Sequence, residues 1–191
     1  ITKTDQNERI ENLIWRKSWG SANRQLKRVS SDVKFLSIAK IRLSRRRGNV
    51  DKSIKNVPKN LINDEALVYE RIKWRRRAKL EKTSLELLLK YEGSFSQPKK
   101  WWREINYHTR KQLSYKQYDT AVNILKKYNK GSKSNLAEAR WLTGWISLTF
   151  QKDPNTAYEY FTKMFIDVIT PISKARASFW AAKSVKGIGD L

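Results

Sequence analysis

The chain has 191 residues, with 41 Lys and Arg against 18 Asp and Glu, a formal net charge of +23, one His and no Cys. These counts exclude a disulfide framework, a thiolate metal site and a thiol nucleophile, and they leave a His-rich zinc site or a Ser–His triad short of its parts. Aromatic residues make up 12 % of the chain, so there is ample apolar surface for a folded core.

The charge excess is spread along the chain. Residues 1–95 hold 24 basic and 11 acidic side chains, and residues 96–191 hold 17 and 7. Two explanations stand side by side. Abundant Lys, Asn and Ile follow from a low-GC genome, while an anionic polymer (nucleic acid, acidic membrane or wall glycan) is the functional alternative. No apolar run approaches the roughly 18–20 residues of a membrane span, and no secretory leader opens the chain. The start at Ile1 reads as a processed protein or an excised segment.

Glycine (seven) and proline (four) are scarce, and apolar residues recur at helical rather than alternating spacing. Helices are expected near 5–18, 21–29, 32–46, 50–56, 64–78, 81–91, 98–114, 117–129, 135–150, 154–166 and 171–186. Their punctuation is legible. Asp153-Pro154 and Thr170-Pro171 read as an N-cap followed by Pro at the first helical position. Val57-Pro58 and Ser96-Gln97-Pro98 mark further breaks, Gly131-Ser132-Lys133-Ser134 a loop, and Gly187-Ile188-Gly189-Asp190 the end of the last helix.

Within these helices a small residue precedes a large apolar one by four positions, at Ala22/Leu26, Ser84/Leu88, Ala121/Leu125 and Ala157/Phe161. The last three small positions are 37 and 36 residues apart. Trp141-Leu142-Thr143-Gly144-Trp145 recurs 38 residues later as Phe179-Trp180-Ala181-Ala182. A period in the thirties built from helix pairs predicts an all-α fold, a curved, tetratricopeptide-like α-α superhelix. It is read as a single domain segment over 1–191, with the motif-bearing pairs at 61–191 and less regular pairs at 1–60. Stacked pairs present a long surface rather than a deep pocket, which favours binding over self-contained chemistry.

Chemistry-bearing residues are few. Asp64-Glu65 is the one adjacent acidic pair, and its position at a helix start assigns it to capping. No phosphate-binding glycine loop occurs. His108 falls on the seam set by Trp101 and Ile105 and is read as an interface histidine. The runs Arg45-Arg46-Arg47 and Arg75-Arg76-Arg77 point in several directions around a helix, as solvated helix ends do. Trp74 beside the second run, and Trp101-Trp102 before Arg103, have the composition of stacking sites for sugars or bases, although core packing is the commoner use of Trp. The nominated polymer contacts are Arg75, Arg76, Trp101, Trp102 and Arg103; no catalytic residue, metal site or cofactor is nominated.

Several segments resemble one family in that family's order. Asp64-Glu65-Ala66-Leu67-Val68-Tyr69-Glu70-Arg71-Ile72-Lys73-Trp74-Arg75-Arg76 resembles the D-x-x-L-x-Y-x-R-x-x-W-R-R segment of soluble lytic murein transglycosylases. Trp101-Trp102-Arg103-Glu104 with Arg110 is similar to its double-Trp helix. Glu138-Ala139-Arg140-Trp141-Leu142-Thr143-Gly144-Trp145-Ile146-Ser147-Leu148 resembles its E-A-x-x-L-x-G-W-I-A-L helix, and Thr170 to Ala177 its T-P-I-S-x-A-R-A. Upstream, Leu13-Ile14-Trp15 with Ala22, and Val57-Pro58, resemble further elements. Ser147 and Lys183 depart from the usual Ala and Arg.

The resemblance implies a superhelix of U or ring shape and a division of labour. The family's superhelical region shapes and guides peptidoglycan glycan strands, while a separate lysozyme-like domain cleaves the MurNAc–GlcNAc β-1,4 bond to a 1,6-anhydro product. Residue 191 would fall within the superhelical region, so the segment alone is expected to be inactive. The implied compartment is the periplasm, and the implied partners are glycan strands and, further out, cell-wall synthesis proteins. A helical-repeat nucleic-acid binder and a protein-interaction scaffold are the rival classes.

Overall fold

The computed structural model describes residues 2–189, and there the chain is all-α, eleven α-helices packed against their neighbours. In order they are α1 (Lys3–Trp15), α2 (Trp19–Gln25), α3 (Ser31–Arg45), α4 (Val50–Lys55), α5 (Glu65–Arg77), α6 (Glu81–Lys90), α7 (Pro98–Ser114), α8 (Tyr118–Lys126), α9 (Lys133–Ile146), α10 (Pro154–Asp167) and α11 (Pro171–Gly189). A short 3-10 turn, Lys59–Leu61, precedes α5, and a π-helical turn, Ser147–Gln151, follows α9. The helix expected over 135–150 therefore ends four residues early. The last helix overruns its expected end at 186; Asp190, named with that ending, lies outside the described residues.

The starts follow the capping chemistry of the sequence. Pro98 and Pro154 sit in the first turns of α7 and α10, and the Asp153 and Asp64 carboxylates accept the backbone N–H of Thr156 and Leu67. Hydrogen bonds from the Thr156 hydroxyl and backbone N–H outweigh burial at Asp153 and keep its carboxyl below the usual range. Thr2 and Asp5 form a reciprocal capping box at α1.

The ends use an unexpected device. Lys17, Lys79, Lys116 and Lys152 adopt left-handed backbone, with φ of 60°, 61°, 57° and 56°, where glycine is the usual choice. After α1, α5 and α7 the geometry is a Schellman turn: Ser18, Leu80 and Gln117 donate to the carbonyls of Leu13, Arg75 and Gln112 at 2.9 Å. Each of these lysines stands five residues before a small residue of the repeat, at Ala22, Ser84, Ala121 and Ala157. The repeat is thus marked by a turn and a close contact together. All four small residues are fully buried, and Leu88, Leu125 and Phe161 are buried one turn further on.

The chain divides into two compact units, residues 1–94 and 95–191. In the first, Ile10, Ile14, Ala22 and Ile41 form one apolar cluster, and Leu36, Ala39, Leu43, Val50, Val57 and Leu67 form another. Lys40 of α3 has polar partners on α1 and at the start of α5: its buried ammonium meets Glu11 at 2.5 Å and Asp64 at 2.8 Å. Asp64 therefore caps α5 and also neutralises a buried cation. Burial pushes the Glu11 carboxyl above its ordinary range despite Lys40. A second buried pair, Glu70 with Lys73, lies along α5, and burial lowers the Lys73 ammonium. In the second unit the apolar contacts are largely aromatic. Phe95 packs on Trp101 at 4.7 Å between ring centres, and Trp102 on Tyr128 at 5.0 Å.

Candidate functional site

The second unit carries a continuous run of half-buried rings across α8, α9, the π turn and α11. Trp141 and Trp145 stand one turn apart on α9, their planes 9° from parallel and their centres 5.8 Å apart. An α-helix would carry residue 150 well away from residue 145, because five steps advance about 140° beyond one full turn. The wider π turn reduces that angle, and π turns recur at functional sites. Here it brings Phe150 edge-on to Trp145 at 5.2 Å and flat against Tyr118 at 4.3 Å, with an interplanar angle of 4°. At the other end Trp141 meets Trp180 edge-on at 6.2 Å, and Trp180 is backed by the buried Phe161 at 5.9 Å.

The turn that places Phe150 is held by polar contacts. Ser147 Oγ donates to Gln151 Oε1 at 2.9 Å, and Gln151 Nε2 donates to Asp119 at 2.6 Å, tying the π turn to the start of α8. Lys152 closes it in left-handed conformation, and the Asp153 N–H reaches back to the Ser147 carbonyl at 3.0 Å. Beneath the run, α10 approaches α9 closely at Gly144. A Cβ there would lie 2.8 Å from Phe161 Cζ, which accounts for the glycine.

Cations decorate the rings. The Arg176 guanidinium lies 3.7 Å above Trp141, with Glu138 3.8 Å away, and Lys183 Nζ is 5.3 Å from the Trp180 ring centre. Arg140 is paired with Asp167 and donates to the Lys163 carbonyl at 2.9 Å; burial lowers its guanidinium. The indole Nε1 of Trp141 is buried without a hydrogen-bond partner, a cost of about 1–3 kcal/mol. Between α9 and the α10–α11 turn lies a groove of about 350 Å³, with Ala137, Met164 and Val168 along its floor and Lys133, Glu138 and Arg176 at its rim. Rings fixed by their neighbours, with faces or edges open to water and cations alongside, are suited to stacking on flat, partly apolar ligand rings at low entropic cost.

The residues nominated from the sequence fall elsewhere. Arg75 and Arg76 end α5 in the first unit, half-buried, and Arg75 donates to the Thr83 carbonyl at 3.1 Å. Trp101 has no exposed surface, so it is a core residue and offers a polymer nothing to touch. The adjacency to Arg103 that suggested it reflects helical rotation: Arg103 points to solvent, Trp102 is half-buried against Tyr128, and Trp101 faces inward. His108 is buried on the same seam. The ring run itself was present in the sequence as the Trp141/Trp145 spacing, which also fits a packing seam, and Phe150 joins it only through the π turn.

Among the described residues no group of three or more His, Asp or Glu side chains comes together as a metal site, and no helix is long and apolar enough to cross a membrane. The chain matches no protein-family model, no curated protein and no solved structure.

Proposed function

We propose that the chain is a non-catalytic helical-repeat element that holds peptidoglycan glycan strands, of the kind that forms the superhelical part of soluble lytic transglycosylases. Cleavage of the MurNAc–GlcNAc bond belongs, on this reading, to a domain outside residues 1–191, and the compartment is the periplasm. The observation that carries the reading is the ring run Tyr118–Phe150–Trp145–Trp141–Trp180 with Arg176 and Lys183 over it. Pyranose rings present apolar C–H faces to aromatic planes, and the lactyl and peptide carboxylates of murein suit the cations. The ordered segments resembling that family support the same reading.

The experiment is co-sedimentation of the purified chain with sacculi, with soluble products analysed alongside. Binding is expected without release of anhydro-muropeptides. Trp145→Ala, which removes a half-exposed ring, is expected to weaken binding about tenfold with the helical spectrum unchanged. Release of anhydro products, or binding indifferent to Trp145 and Trp141, overturns the reading.

The net charge of +23 favours a second reading, a single-stranded nucleic-acid platform, since bases also stack on such rings. It requires log affinity for an oligonucleotide to fall steeply with log salt and to drop on Trp145→Ala. Sacculus binding that persists where oligonucleotide binding is lost decides for the glycan.

A further inference from the structure

The 38-residue recurrence pairs positions on α9 with positions on α11: Ala137 with Ala175, Trp141 with Phe179, and Gly144 with Ala182. On α9 these three form an i, i+4, i+7 stripe, and α10 covers it. Ala137 is buried in a cluster with Met164 and Val168, Trp141 packs on that cluster, and Gly144 lies under Phe161. On α11 the same stripe is bare. Ala175 and Ala182 are exposed, Phe179 is 56 % exposed, and Ile172, one turn earlier, is 84 % exposed. The opposite side of α11, through Ala177 and Ser184, is the one turned inward, with Ala177 in the α10 cluster. An amphipathic helix with a hydrophobic stripe in water normally has something over it.

Charge narrows what that is. Helix α11 carries Lys174, Arg176, Lys183 and Lys186 and no carboxylate. Arg176 is paired with Glu138 and lies over Trp141, while the ammonium groups of Lys174, Lys183 and Lys186 flank the stripe without a carboxylate on α11, Lys183 lying 5.2 Å over the Phe179 ring. A second copy would set the same cations against one another, in a chain of net charge +23. A helix with carboxylates at its flanks would not.

We infer that the Ile172–Ala175–Phe179–Ala182 stripe of α11 is a docking site for an acidic amphipathic helix, seated as α10 sits on α9. The inward face of that helix reads small-x-x-x-large-x-x-large, as Ala157, Phe161 and Met164 do on α10. The interface continues one the fold already makes: the established α9–α10 contact, displaced by one repeat. It leaves Trp141 and Trp145 outside the interface, while the edge of Trp180, which Phe179 meets at 5.7 Å, and Lys183 border both surfaces.

The probe is a fluorescein-labelled peptide with the α10 sequence, residues 154–167, carrying Lys163→Glu and a hydrocarbon staple between positions 158 and 162, because a free 14-residue helix is marginal in water. It is titrated with the full chain and read by fluorescence anisotropy. Saturable binding is expected. Phe179→Asp, at an exposed position that leaves the melting curve in place, is expected to weaken it about tenfold. Ala182→Gly, which restores the residue found at Gly144, is expected to tighten it by letting the helix approach more closely. Four outcomes overturn the inference. The peptide fails to saturate. It binds wild type and Phe179→Asp equally, meaning that it has displaced α10 instead. The chain dimerises in sedimentation velocity and Phe179→Asp abolishes the dimer. Phosphatidylglycerol vesicles capture the chain through Phe179 while the peptide does not bind.

Discussion

The two units are built from the same helix pairs but hold them together differently. In residues 1–94 the buried contacts include charge: Lys40 with Glu11 and Asp64 between helices, and Glu70 with Lys73 within α5. In residues 95–191, where Glu104 and His108 are buried as well, aromatic rings dominate the packing: Phe95, Trp101, Trp102 and Tyr128 around α7, and Trp141, Phe161 and Trp180 further on. Buried charge demands satisfied partners and tolerates little change, whereas packed rings leave edges and faces available. The unit that packs with rings is therefore the one able to present a stacking surface.

The sharpest way to break this contrast is to delete one anchor from each unit. Trp101→Ala removes a ring with no exposed surface and is expected to cost about 4 kcal/mol in chemical denaturation, the range for a buried Trp cavity. Hydrogen exchange should show the loss around Phe95, Trp102 and Tyr128. Lys40→Met keeps the volume and removes the charge, leaving Glu11 and Asp64 facing each other's region without their cation. Because both carboxylates keep some exposure, the expected cost is about 3 kcal/mol, at the lower end for a broken buried pair. Its pH dependence identifies the mechanism. Glu11 is held above its ordinary range by burial, so the folded state binds that proton more readily than the unfolded chain and acidification favours folding at this site. Without Lys40 the upward push is greater. The penalty of Lys40→Met should therefore be largest at neutral pH and shrink as acidification carries the raised Glu11 carboxyl through its titration toward the ordinary glutamate range. A penalty constant with pH would make Lys40 a spacer rather than a counter-ion.

Helix positions were legible because the caps are chemical: Asp64, Asp153 and the prolines at 98, 154 and 171 announce their helices. The small-large spacing was legible for the same reason, since close approach needs a small side chain wherever it occurs. The left-handed turns were not, because lysine carries no turn preference, and their location emerges only with the backbone. Lys40 reads as a surface residue in an amphipathic pattern; burying it required carboxylates 29 and 24 positions away in sequence. The ring surface was half legible. Trp141 and Trp145 share a helix face, but a single sequence cannot say whether that face meets solvent or protein, and the π turn that adds Phe150 has no signature of its own.

A smaller effect tests the close contact itself. Gly144→Ala places a methyl group 2.8 Å from Phe161 Cζ. Overpacking costs about 1–3 kcal/mol, and the better helix propensity of Ala returns up to about 1 kcal/mol. A net loss of about 1.5 kcal/mol is expected, with shifted tryptophan fluorescence because Phe161 backs Trp180. An unchanged melting curve and spectrum would mean that α10 has room to move off α9, and that the repeat does not depend on small residues at this seam.

The smallest expected effects concern the device both units share. A lysine in left-handed backbone costs about 1–2 kcal/mol relative to glycine, partly offset by the greater freedom of glycine in the unfolded chain, about 0.5–1 kcal/mol. Lys116→Gly in the second unit should therefore raise stability by about 0.5 kcal/mol. Lys17→Gly in the first should raise it slightly further: the Lys17 charge is the smallest of the influences that depress the buried Lys73 ammonium, behind burial and Arg77. Removing it relieves that repulsion. The excess of Lys17→Gly over Lys116→Gly should fade as pH rises into the alkaline range, where Lys73, lowered by burial, loses its proton before a free lysine does and the repulsion disappears. Equal gains at every pH would show that the first unit's buried charges are indifferent to their neighbours, and the contrast between an ionic unit and an aromatic one would reduce to composition.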